Sequence, residues 1–184
     1  MTVPSLHRSI ATGAIGFGLV SLCVFATVAF AERWMVHNLG LTGAYGAWTV
    51  LFIVLAGAVF GSLVDGRWRL PKFYLLFGVA FFAYAAAWVI AYFGLGRLSG
   101  EVVGSIAGSI LMAIVFALGF GALRSIVKLS AVLFAANLVG YFLGSALFFY
   151  LSPPTGMLLF GVVYGLLFGA GIGAVLYLAQ RERF

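Results

Sequence analysis

Charge is what this sequence has least of: Lys and Arg number 10 and Asp and Glu 4, so charged residues make up 8% of 184. A soluble domain carries roughly a quarter of its residues charged, and an aqueous globular fold is therefore excluded. Cysteine is scarcer still. The one cysteine, Cys23, lies inside an apolar run, which leaves no intrachain disulfide and no CxxC or Cys/His metal spacing. The histidines are His7 and His37 and the acids Glu32, Asp65, Glu101 and Glu182, all at the ends of apolar runs or between them. Intramembrane hydrolases and metal-dependent transferases need clustered nucleophiles, bases or metal ligands. Neither GxSG nor HExxH is present. No catalytic residue, metal or cofactor is expected, and an enzyme is the weakest functional class. Pumping through a buried relay is poorly supported for the same reason, because such relays use Asp, Glu or His within a span.

What is abundant is apolar sequence, at 65% of residues and a mean hydropathy of +1.21. A bilayer core needs about twenty apolar residues per helical span. Six runs meet that length, at about 10–31, 43–64, 73–93, 102–122, 129–150 and 157–178. The expected fold is all-α, a polytopic transmembrane bundle of six helices in a single domain over 1–184. Ala29-Phe30-Ala31 before Glu32 resembles a signal-peptidase site. The first run nevertheless exceeds the usual leader core of about 7–15 residues, so an intact first helix is expected.

Orientation is read from Lys and Arg in the short links. One side collects Arg8, Arg67, Arg69, Lys72, Arg124, Lys128, Arg181 and Arg183, and the other only Arg33 and Arg97. Both termini are therefore expected in the cytoplasm, with a bacterial inner (plasma) membrane as the setting. The cytoplasmic basic residues are accounted for by topology and by anionic lipid headgroups. A second use is docking to an acidic partner such as an energising subunit. Nucleic acid is not needed to explain the +6 net charge, since the basic residues flank spans.

Glycine recurs at four-residue spacing. Gly161, Gly165, Gly169 and Gly173 form one bare, slowly winding stripe about 18 Å long. Gly57 and Gly61, Gly104 and Gly108, and Gly140 and Gly144 repeat the pattern. Such glycine-zipper, GxxxG-type faces let membrane helices approach closely enough to gain dispersion contacts. They are expected to be seams within the chain, or faces for a membrane protein partner or a second copy.

Two sets of residues are candidates for binding. Asn137 is the strongly polar side chain inside a span, with Tyr141 one turn on. Its amide must find partners, either a neighbouring helix or a solute. Near the opposite ends of the spans from the basic residues stand Glu32, Trp34, His37, Tyr45, Trp48, Trp88 and Glu101. An interfacial aromatic belt would place aromatics there without any ligand. The same residues suit an outward-facing cup for a small, flat or cationic solute.

In length and number of spans only, the plan resembles the six-helix substrate-binding subunits of energy-coupling-factor vitamin uptake systems. The favoured reading is a small-solute binding or transport component, passive or driven by partner subunits. The alternative is an accessory or assembly subunit that docks through its glycine faces.

Overall fold

The computed structural model describes residues 4–64 and 69–182. Five long apolar helices form it, not the six expected. They are α1 (Leu6–Phe60), α2 (Arg69–Leu95), α3 (Arg97–Phe120), α4 (Ile126–Tyr150) and α5 (Thr155–Arg181). The correction falls on the first two runs, both of which lie in α1. Residues 32–42 are polar enough to suggest a loop, yet they contain no proline, and helix continues through them with only Gly40 out of helical geometry. The Asn38 amide even donates to the Trp34 carbonyl, 2.7 Å away, within the same helix. The likeness in helix number to the vitamin-uptake subunits is withdrawn with the sixth helix.

Gly40 has φ 69° and ψ 169°, a region open in practice to glycine alone. Straight, a helix of 55 residues would run about 80 Å, more than twice the bilayer core. At Gly40 it folds back instead, so that Phe17 in the first limb packs against Phe52 and Phe60 in the second, with ring centroids 5.7 and 5.6 Å apart. Ser5 starts the helix by accepting from the Arg8 N–H. At the far end, α1 passes into a short 3₁₀ turn at Gly61–Leu63.

The helices close a ring in the order α1, α5, α4, α3, α2 and back to the second limb of α1. Each neighbouring pair runs antiparallel. Going up the first limb of α1 from Ser9 to Phe25, its contacts on α5 go down from Gly173 to Gly161. The Gly40 bend, the α2–α3 link at Gly96 and the α4–α5 link at Ser152–Pro154 consequently share one end, called here the bend end. The start of α1, Gly61–Leu63, the 3₁₀ turn Leu123–Ser125 and the end of α5 share the other, the tail end. Pro71 sits in the first turn of α2, where a missing N–H costs nothing.

The middle of the ring is filled with aromatic side chains. Phe17, Phe60, Phe73, Phe77, Phe116 and Phe168 are fully buried, with Met112, Leu129, Leu133 and Ile172 between them. Outward, the surface is apolar, with Ile90, Val127 and Phe149 largely bare. Buried aromatics inside and exposed aliphatics outside are the pattern of a bundle whose surroundings are hydrocarbon. This is an integral, polytopic helical membrane protein.

Candidate functional site

The α1–α5 contact explains where space is left. A β-carbon on Gly165 would stand 2.9 Å from both Gly18 Cα and the Phe17 carbonyl oxygen, and one on Gly169 would strike the Gly13 backbone. Gly173 likewise faces the Ser9 backbone, and Gly161 the Phe25 side chain. The next position in that four-residue step is Met157, and there the two helices part. A cavity of about 370 Å³ opens at the bend end between both limbs of α1, α2 and the start of α5, with Met157 in its wall.

Phe25, Phe52 and Phe81 give this cavity apolar walls, and Glu32, Tyr45, Trp48 and Thr49 give it polar atoms. Tyr45 and Trp48 meet edge to face at 5.4 Å. Trp48 is 8% exposed, and its indole Nε1 has no hydrogen-bond partner among the described residues. An indole N–H usually finds an acceptor when buried. Glu32 is exposed at the cavity's edge.

A second polar group lies deeper, where α2, α4 and α5 meet. Asn137 is fully buried, and its Oδ1 accepts from the Tyr84 hydroxyl at 2.7 Å and the Tyr164 hydroxyl at 3.2 Å. Its Nδ2 has no partner among the described residues. Tyr84 also reaches Ser105 of α3. One turn toward the bend end, Tyr141 lies beside Glu101 and Ser145, and its ring is 6.1 Å from Trp88.

The nine residues expected to bind therefore divide. Glu32, Tyr45 and Trp48 line one cavity. Trp88, Glu101, Tyr141 and Asn137 gather along the inner seam of α2, α3 and α4. Trp34 and His37 do neither, and both lie on α1 near the bend, outside the cavity lining. The two groups are joined by rings, since Phe160 lies 6.0 Å from Tyr141 and 4.9 Å from Phe25 in the cavity wall. Sequence reasoning missed Tyr84 and Tyr164. The signal for them was present: a tyrosine in mid-span needs a hydroxyl partner, and Asn137 was the amide at hand.

The other glycines also meet helices of this chain. Gly57 faces Tyr74, Gly61 faces Leu70, Gly104 faces Trp88 and Gly108 faces Tyr84, while Gly140 and Gly144 face Tyr164 and Phe160. At the tail end, the Lys72 ammonium stands 4.8 Å from the centre of the Phe120 ring, and Arg181 donates to the Tyr177 hydroxyl at 2.8 Å. Arg124 and Lys128 are exposed there. Arg69 opens α2 at the same end, while Arg67 and Arg183 lie outside the described residues. Gln180 ties the end of α5 to the Leu63 carbonyl at 2.9 Å, and Ser125 donates to Glu182. No three His, Cys, Asp or Glu side chains stand together as a metal site among the described residues. Comparison with protein families, with curated proteins and with solved structures finds no match to this chain.

Proposed function

We propose that this chain is a small-solute binding or transport component of a membrane, passive or energised by partner subunits, with its site in the bend-end cavity. The observation that carries the reading is the cavity itself. Its volume of about 370 Å³ falls within the range of small-molecule sites, about 300–1,000 Å³. It has the makeup of such sites, aromatic walls with a few polar atoms. The eight-to-two bias of basic residues favours an outward bend end, with the tail end against anionic cytoplasmic headgroups.

Docking through glycine faces has less to recommend it, because every stripe named above is already covered by a helix of the same chain. Calorimetry on the detergent-purified chain tests the solute reading. Small water-soluble aromatic compounds should bind, and Met157→Trp, which narrows the cavity with a larger ring, should weaken that binding strongly while the helices still melt cooperatively. Binding unchanged by the narrowed cavity would place the site elsewhere and end this reading.

A further inference from the structure

Resting on that reading, we propose that the occupant is a small organic cation: a protonated amine on an apolar, ring-bearing body. Two features of the cavity point the same way. Glu32 is the one charged side chain that lines it, and no cation pairs with Glu32 among the described residues. Arg33, next in the helix, projects about 100° away and is not in the lining. An anion placed here would meet a carboxylate with no compensating positive charge among the described residues, whereas an ammonium would complete a charge-assisted hydrogen bond.

The walls favour the same ligand. Phe25, Phe52 and Phe81 present ring surface that takes an apolar body, and aromatic faces attract a nearby cation through their quadrupoles. Trp48 adds a further ring to the wall, edge to face with Tyr45 at 5.4 Å.

The full chain in detergent, titrated at neutral pH with three matched probes, tests this. Tyramine carries the ring, an ammonium and a phenolic oxygen; tyrosol replaces the ammonium by a neutral hydroxyl; 4-hydroxyphenylacetate replaces it by a carboxylate. Tyramine should bind about ten-fold tighter than tyrosol, charge-assisted hydrogen bonds being roughly twice as strong as neutral ones. The carboxylate should bind weakest. Glu32→Gln should remove most of the gap between tyramine and tyrosol, with the melting temperature as folding control. If tyrosol matches tyramine, or if Glu32→Gln leaves their ratio unchanged, the cation inference fails and the solute site stands. If none of the three binds at millimolar concentration, the inference and the reading beneath it both fail.

Discussion

The first limb of α1 and the helix α5 meet in two ways along one line. From Gly173 to Gly161 they pack closely, and at Met157, the next step of the same stripe, they separate around a cavity. Fold, hydrophobicity and partner helix are the same in both stretches. Side-chain volume at every fourth position of α5 differs, glycine along the seam and methionine where the cavity opens. In hydrocarbon, where burial of apolar surface does not drive helices together, close packing has to come from backbone contact. Sequence can open a binding space in such a protein by ending a glycine stripe.

Alanine substitution along the stripe should break the seam in graded fashion. Gly169→Ala should have the largest effect, because its new methyl meets the Gly13 backbone, which cannot swing aside. Overpacking of this kind costs about 1–3 kcal/mol, and the upper end is expected, seen as a lowered melting temperature in detergent. Asn137→Leu comes next and probes the deeper polar group rather than the seam. It strands the Tyr84 and Tyr164 hydroxyls in a buried place, for a loss of about 1–3 kcal/mol in the same measurement.

Gly161→Ala should cost less. Its methyl meets the Phe25 side chain rather than backbone, nearest at Cβ, 2.8 Å away, which turning the ring does not move. Alanine's helix propensity, about 1 kcal/mol better than that of glycine, offsets part of the clash, so a smaller drop in melting temperature than at Gly169 is expected. Met157→Trp should change stability least and binding most. A flat response along the stripe, with Gly161→Ala as damaging as Gly169→Ala, would mean that seam and cavity are not distinct regions.

Much of the close packing was legible in the sequence. Four glycines at four-residue spacing imply a bare face long enough to carry a helix, and that face does lie on α1. What could not be read is the path between the first two apolar runs. Glu32, Arg33, His37 and Asn38 mark a change of environment, but polarity by itself does not stop a helix; the single glycine at 40 turns the chain instead. Convergence was equally hidden. Glu32 and Tyr45 are brought together by the fold-back, and Phe81 and Met157 reach the same cavity from distant parts of the chain. Periodicity shows which face of a helix is apolar, never which helix will be its neighbour. Tyr84 and Tyr164 reach Asn137 on that non-local ground, although their own need for a partner was visible.

Thiol labelling of Met157→Cys, in a chain whose Cys23 is replaced by alanine, tests the open end of the seam most directly. The account predicts rapid reaction with a small water-soluble thiol reagent, slowed by tyramine, while Ala179→Cys in the fully buried stretch of α5 stays unreacted. A Met157→Cys chain as inert as the Ala179→Cys chain, or one whose labelling no cavity ligand slows, would contradict it.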